Sequence, residues 1–326
     1  MALDNGGAYA IRGFNFQKAS IINVIIDNFL KENFTVVVEG EDDFVIEYIN
    51  YKAFVQCKNQ KLSVSNLIKS QTKKKKVFPS ILQKNLETGT PNNHHKIFLR
   101  DFIEKEKKLL ETKTPGDICE RVYILSVDQK NTVIQTLKGD LNDVEARLDN
   151  FKIYFPPFPN ELTDVIIYLT GKLNIKGIKI DNNKGREIIA ELSLMIDQKS
   201  EIVIEDEGQL ILKELSQEYF KKTLIQTIEL ITFDDILNRL TFPTAFMAKV
   251  KGEQLKIELM YKSLKRDIEI WLEGIDFELK PDREIIDEVL NRFKGKAENS
   301  VLVAITIEII SSKGSEMFGN TASSNL

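Results

Sequence analysis

Cysteine is almost absent from this chain. Its 326 residues hold two, Cys57 and Cys119, far apart and in no metal-binding spacing, which excludes a disulfide framework and suits a reducing cytoplasm. Histidine is as scarce, with only the adjacent pair His94 and His95. Neighbouring side chains diverge along a helix or a strand, so this pair suits a surface or capping role better than a metal. An excess of basic charge is lacking too. With 45 Lys and Arg against 49 Asp and Glu the net charge is −4, so affinity for a polyanion must come from local patches or from several chains acting together. No apolar run approaches membrane-spanning length. The first residues carry Asp4 and glycines where a leader would be basic and then apolar. The glycines form no phosphate-cradling loop of the Walker type, which argues against nucleotide hydrolysis by this chain alone. No internal repeat is visible. The 42% of apolar residues can fill a sizeable core, in two domains or one elaborated one.

What is present is a strand with chemistry on it. Phe54-Val55-Gln56-Cys57-Lys58 follows shortly after the acidic turn Glu39-Gly40-Glu41-Asp42-Asp43. Strand side chains alternate faces, so Gln56 and Lys58 point one way and Val55 and Cys57 the other. The apolar segment Phe44–Ile49 lies between, and Asn50-Tyr51-Lys52 reads as a hairpin turn. A two-residue turn at Asn50-Tyr51 sets Asp43 directly opposite Lys58, whereas a three-residue turn puts Phe44 there. A carboxylate, an amide and an ammonium on one sheet face form a metal-assisted phosphodiesterase site. Asp43 would hold a divalent cation, Mg2+ or Mn2+, which polarises a phosphate and acidifies a bound water. Gln56 can offer its amide oxygen to the same ion. Lys58 would orient the attacking water and offset charge on the phosphate oxygens. Glu39, at the end of Phe34–Val38, is a second candidate ligand or a water-holding base. Asp42, Glu41 and Glu47 read as turn or solvated carboxylates.

This arrangement resembles the PD-(D/E)xK nuclease superfamily in its Asp…QxK form, as in Mrr-like restriction enzymes. The N-terminal order narrows it: Gly6-Gly7-Ala8-Tyr9-Ala10-Ile11-Arg12-Gly13-Phe14-Asn15-Phe16-Gln17, a helix, then Glu39, Asp43, Gln56 and Lys58. That order resembles the double-stranded-DNA endonuclease domain of bacterial anti-phage effectors. In CBASS it is fused to a cyclic-oligonucleotide sensor, and in Lamassu-type systems it is partnered with an SMC-like ATPase. The resemblance covers roughly residues 6–60. It implies metal ligation by Asp43, Gln56, the backbone carbonyl of Cys57 and Glu39. It also places Gln17 where many members carry a helical Glu, either as a donor orienting Asp43 or Lys58 or as a cap on the sheet. Arg12 and Tyr9 become candidate phosphate contacts.

The remaining pattern implies an α/β restriction-endonuclease-like core with a helical extension over residues 1–240. A helix is expected from Phe14 to Leu30, where Ile22, Ile25, Ile26 and Phe29 recur at helical spacing. A second helix opening at Ser63 should run toward Lys73-Lys74-Lys75-Lys76. That basic run is a candidate DNA contact beside the reading of a solvated helix end. A further helix is expected over Lys96–Leu110, a buried strand over Arg121–Val127, and helices over Arg186–Ile196 and Leu210–Leu224. Glu205-Asp206-Glu207 reads as a helix start. Residues 241–326 read as a small α+β region for regulation or assembly. There, strand or hairpin structure is expected at Ile268–Glu273 and Ile275–Leu279 around Gly274, a helix over Asp282–Phe293, a strand over Ser300–Ile310, and disorder over Ser311–Leu326. The combined expectation is a cytoplasmic, metal-dependent endonuclease cutting double-stranded DNA. It would be a homo-oligomer when active and controlled by a separate SMC-like or HerA-like ATPase. A non-catalytic DNA-end-binding or scaffold subunit and a stand-alone Mrr-like restriction enzyme are the alternatives.

Overall fold

Ile21, Ile22, Ile25 and Ile26 recur at helical spacing and are all buried, which makes the first helix a rigid support rather than a surface element. In the computed structural model, which describes residues 5–73, 76–158, 162–176, 180, 182–277 and 279–323, this helix, α1, runs Gly6–Asn28. Its first turns, through Arg12, are solvent-exposed, and burial begins at Phe16 and Gln17. It starts earlier than the periodicity suggests because the glycine-rich opening is helical while still exposed, with no buried face to mark it.

The strands are β1 (Thr35–Val38), β2 (Phe44–Tyr48), β3 (Tyr51–Leu62), β4 (Gln71–Lys73), β5 (Lys76–Phe78), β6 (His94–Phe102), β7 (Glu111–Lys113), β8 (Val122–Ile124), β9 (Phe151–Tyr154) and β10 (Glu214–Ser216). Eight of them form one mixed sheet in the order β10-β1-β2-β3-β6-β9-β8-β7. β1, β2 and β3 are antiparallel neighbours, whereas β3, β6 and β9 run parallel at the centre. Helix α1 lies against β3. A second apolar cluster joins Ile97, Leu99, Phe151 and Ile153 of the sheet to Leu67 of α2 (Val64–Ile68), Leu82 and Leu86 of α3 (Ile81–Glu87), and Val133 and Leu137 of the helix Val127–Leu137. These layers make an α/β unit whose motif-bearing hairpin sits inside the sheet.

The helix expected over Lys96–Leu110 is instead the strand β6, followed by one helical turn at Glu104–Lys107. The run Ile97-Phe98-Leu99 is wholly buried because β6 is paired on both edges, and such strands lose the polar alternation that would mark them. Past Ser63, α2 is only one turn or so long, and of the basic run Lys73 ends β4 and Lys76 begins β5, so neither lies at a helix end. The span Leu210–Leu224 is interrupted by β10, which pairs with β1 between a 3-10 turn and the helix Gln217–Arg239. Asp206 starts that 3-10 turn by accepting a hydrogen bond from the Gln209 backbone N–H.

A second compact unit takes over within the helix Gln217–Arg239, near Lys221. The α+β expectation is corrected here. Its described elements are helices at Thr244–Gln254, Ile257–Met260, Lys262–Leu272, Asp282–Arg292 and Asn299–Ser323, the last running past Ser311 to Ser323, with residues 324–326 of the segment expected to be disordered outside the described ones. Val301 to Ile305 are five consecutive residues no more than 2% exposed. A helix apolar on every side is the core of its bundle, and its β-branched residues mimic a strand signal. The second half of the expected hairpin, near Ile275, forms no strand, and Glu278 lies outside the described residues.

One buried ion cluster ties the loop before β8 to the sheet. The Asp117 carboxylate accepts hydrogen bonds from Lys96 Nζ at 2.7 and 2.9 Å, from the Tyr51 hydroxyl at 2.8 Å and from Lys152 Nζ at 3.1 Å. Burial alone would raise the Asp117 carboxyl, but the Lys96 and Lys152 ammoniums and the Tyr51 hydroxyl outweigh it and hold it far below the usual range. Lys96 is 1% exposed, so Asp117 is what makes its charge tolerable there. Asp117→Ala is expected to cost about 3–5 kcal/mol in urea unfolding at neutral pH, the range for stranding a buried charge. An unchanged unfolding midpoint would contradict this role.

Candidate functional site

The β2–β3 hairpin brings the site together, with a register that differs from the expected one. Phe44 pairs with Val55 and Tyr48 with Tyr51, so the turn is Ile49-Asn50, one residue earlier than expected. Asn50 takes φ 56°, a left-handed conformation that Asn tolerates better than most residues. The Tyr48 and Tyr51 rings stack at 4.4 Å, and Tyr51 stacks on His94 at 4.4 Å. Asp43 therefore falls opposite Gln56, not Lys58. The slip moves the pairing by two residues, which preserves faces, so Lys58 stays on the side of Asp43. Its Nζ lies 3.8 Å from Asp43 Oδ2. The same Oδ2 accepts a 2.7 Å hydrogen bond from the Cys57 backbone N–H.

Gln56 is 3% exposed, and its Oε1 is buried with no hydrogen-bond partner. An orphaned amide oxygen of this kind costs about 1–3 kcal/mol unless something occupies it. Glu39 is not gathered beside Asp43. Its Oε1 accepts a 2.6 Å hydrogen bond from Gln17 Nε2, which also donates to the Asp43 carbonyl at 3.1 Å. Gln17 thus stands between the two acids. Glu39 lines a separate cavity of about 400 Å3, while Asp43 and Lys58 line one of about 910 Å3. Lys213 Nζ donates to the Glu39 carbonyl at 3.0 Å, and Glu39 itself has φ 50°.

The larger cavity is walled by the exposed start of α1, through Tyr9 and Arg12, and by the end of β3 with Asn59 and Lys61, with Arg100 from β6. Asn59 Nδ2 donates to the Arg12 carbonyl at 3.2 Å and joins the two walls. Lys61 and Arg100 escape a reading of alternating strand positions. A register shift between Lys58 and Lys61 re-aims the end of β3, and Arg100 lies on the segment read as a helix. Of the basic run, Lys74 and Lys75 lie outside the described residues. Lys73 pairs with Lys76 across the hairpin, whose Val77 and Phe78 are exposed. Among the described residues no three His, Cys, Asp or Glu side chains gather into a metal-holding group.

Asp42 is no solvated turn residue. At 5% exposure, its Oδ1 accepts from the Asp43 N–H at 3.0 Å and its Oδ2 from Asn85 Nδ2 of α3 at 2.6 Å. The Asn85 carbonyl in turn meets His95 Nδ1 at 2.9 Å. His95 is fully buried, not on the surface, and burial lowers it to about 4, so it is neutral and unfit as a base at physiological pH. Glu41 and Glu47 pair with Lys52 at the surface, as solvated carboxylates do.

No family model matches the chain. It is 39% identical over 264 residues to the Lamassu protein LmuA of Bacillus sp. (strain NCIM 5461 / CCTCC AB 2011126 / NIO-1130), covering 81% of this chain and 82% of that one. The chain belongs to the Lamassu LmuA family. That membership supports a part in anti-phage defence, and it spans far more of the chain than the N-terminal motif. Among solved structures the chain is similar to a Moraxella osloensis Cap4 SAVED/CARF-domain containing receptor, at 10% identity and a TM-score of 0.38. The match takes in 67% of this chain but spans about half, 47%, of that receptor. No helix among the described residues is long and apolar enough to cross a membrane.

For this LmuA-family chain the Asp42 network generates a pH prediction. Burial raises the Asp42 carboxyl to about 6, against the hydrogen bond from Asn85. A carboxyl with a raised folded pKa stabilises fully below its unfolded value and loses that contribution as pH rises through the folded one. The stability of wild type relative to Asp42→Asn is therefore expected to fall between pH about 4 and about 7. Thermal unfolding of both proteins across that range measures it. A pH-independent difference would contradict the assignment.

Proposed function

We propose that this LmuA-family chain is the endonuclease effector of an anti-phage defence system, hydrolysing phosphodiester bonds of double-stranded DNA with a divalent cation. The observation that carries the reading is Asp43 with Lys58 at 3.8 Å on the wall of a large cavity, with Gln56, whose Oε1 is buried and unpartnered, at the position across the hairpin from Asp43. Those donors fit Mg2+ or Mn2+. Both are hard cations that take carboxylate, amide and carbonyl oxygens, which Asp43, Gln56 and the Cys57 carbonyl would supply. When bound, the cation polarises the phosphate and acidifies a water.

The protein's own groups have separate tasks. Lys58 orients the attacking water and offsets charge on the phosphate oxygens. Gln17 holds the Asp43 backbone and the Glu39 carboxylate at once, which leaves Glu39 as an outer, water-holding group in place of an inner ligand. Arg12, with Lys61 and Arg100, gives the cavity basic side chains within a chain of net charge −4. One site cuts one strand, so a double-strand break needs two chains brought together. A homo-oligomer, assembled partly through the helical C-terminal residues and gated by an SMC-like or HerA-like ATPase, meets that need in the cytoplasm.

Lys58→Ala and Asp43→Ala are each expected to abolish plasmid cleavage in Mg2+ or Mn2+, assayed with and without the neighbouring gene's product. Both should leave the far-ultraviolet dichroism near wild type; Lys58→Ala, at a partly exposed side chain, should also leave the unfolding midpoint there, while Asp43→Ala should lose about 1–3 kcal/mol because the Cys57 N–H loses its acceptor. A folded Lys58→Ala protein that cuts at the wild-type rate would overturn the assignment.

The β4–β5 hairpin gives an independent expectation. If Lys73, Lys74, Lys75 and Lys76 follow the duplex, replacing all four by Ala lowers the slope of log affinity against log salt by about one unit for each phosphate no longer neutralised. An unchanged slope would return the hairpin to a solvated surface role.

A further inference from the structure

The β4–β5 hairpin stands apart from the eight-stranded sheet as a two-stranded ribbon of its own. Lys76, Val77 and Phe78 of β5 are all exposed, Val77 at 73% and Phe78 at 45%. An isolated two-stranded hairpin is marginal in water, and this one carries apolar side chains outward. Strand alternation sets Lys76 and Phe78 on one face, an ammonium beside an aromatic ring. The Lys76 ammonium has no partner among the described residues. A surface of matching chemistry lies elsewhere on the same unit. The cavity of about 400 Å3 walled by α1 and the helix Asn182–Ser200 is bordered by Phe14 and Leu194, both exposed, and by Glu39, Asp197 and Glu201. Lys18 neutralises Asp197 at 3.0 Å, whereas Gln17 brings Glu39 a hydrogen bond but no charge. Glu201 is exposed, and its carboxylate has no partner among the described residues. Three carboxylates against the one ammonium of Lys18 leave this wall acidic.

Each surface has what the other lacks, and both belong to one sequence, so a second copy of the chain supplies both halves of a contact. We propose that the β5 face of one copy, with Lys76 and Phe78, docks on the Phe14, Leu194 and Glu201 wall of the next. Phe78 covers the exposed apolar side chains, and Lys76 brings Glu201 and Glu39 the cation that the wall lacks. The two patches differ, so the contact is head-to-tail. It repeats around a closed ring or along a row instead of closing as a two-fold pair. Nucleic acid is a poor occupant of the cavity, because acidic walls repel phosphates. The contact adds to any assembly through the C-terminal helices and stands apart from the nuclease reading. Of the basic run it engages Lys76 alone.

The test follows self-association of the full chain by sedimentation velocity, over a concentration series at low and high salt. Wild type is expected to associate, and to do so more weakly as salt screens the charged pair. Lys76→Glu and Glu201→Lys each set like charges together and should raise the dissociation constant at least about tenfold. Mixing these two variants should restore association, because every contact in an alternating assembly then pairs opposite charges. A chain carrying both substitutions should likewise associate as wild type does. Phe78→Ser should weaken association, and neither charge variant should rescue it. Unfolding midpoints are measured alongside, and Phe78→Ser carries the test if a charge variant fails to fold. A wild-type chain that stays monomeric throughout would overturn the contact. So would folded single variants that associate like wild type, or a mixture that fails to recover. None of these readouts involves cleavage, so the nuclease reading stands or falls separately.

Discussion

The short hydrogen bond from the Cys57 backbone to Asp43, 2.7 Å across the mouth of the β2–β3 hairpin, is the interaction on which the site depends. It holds the last residue of an acidic turn against the middle of a strand that is paired on both edges. Everything chemical is measured from that point. Gln56 falls across from Asp43, Lys58 follows on the same face, and the backbone of the turn is held from two directions by Gln17 of α1 and by Asp42 with Asn85 of α3. A carboxylate so restrained gives up rotamer freedom before any ligand arrives, which lowers the cost of ordering it later.

Two kinds of buried polar structure divide the work in this unit. The Asp117 cluster is satisfied throughout, with two lysines and a tyrosine on one carboxylate, and serves to fasten a loop to the sheet. The Asp43 region is left incomplete, with Gln56 Oε1 unpartnered and a wall of basic and aromatic side chains nearby. Natural proteins satisfy most buried polar atoms, so an orphan at the position across from Asp43 points toward a ligand. That contrast supports placing the chemistry at Asp43, not at the richer ion cluster.

How much of this could be read from the chain itself differs by element. The shared sheet face of Asp43, Gln56 and Lys58 was legible because strand alternation is local and survives an error in the turn. The turn was misplaced by one residue, since Tyr48, Tyr51 and His94 select it by stacking, and His94 comes from a distant strand. Glu39 reads as a second ligand or a water-holding base from its place at a strand end, and sequence does not announce that Gln17, far away in the chain, hydrogen-bonds its carboxylate. Helices read as strands in the C-terminal unit, and the strand read as a helix at Lys96–Phe102, share one cause. Full burial erases the polar face from which either period is recognised. Asp42 looked solvated because nothing local announces Asn85 beneath it. Of the relationship to LmuA, the N-terminal motif alone was legible as a resemblance, while the 264-residue match extends it over most of the chain.

The central claim is that Asp43, Gln56 and Lys58 form one phosphodiester-cleaving centre. Its most direct test is an experimental structure of the full chain with a duplex and Ca2+, which binds like Mg2+ without supporting rapid hydrolysis in many such sites. The account predicts a cation about 2.3–2.6 Å from the Asp43 carboxylate and from Gln56 Oε1, with the Lys58 ammonium against the same phosphate. A duplex seated away from Asp43 and Lys58, or a cation at that phosphate with no contribution from Asp43, would contradict it.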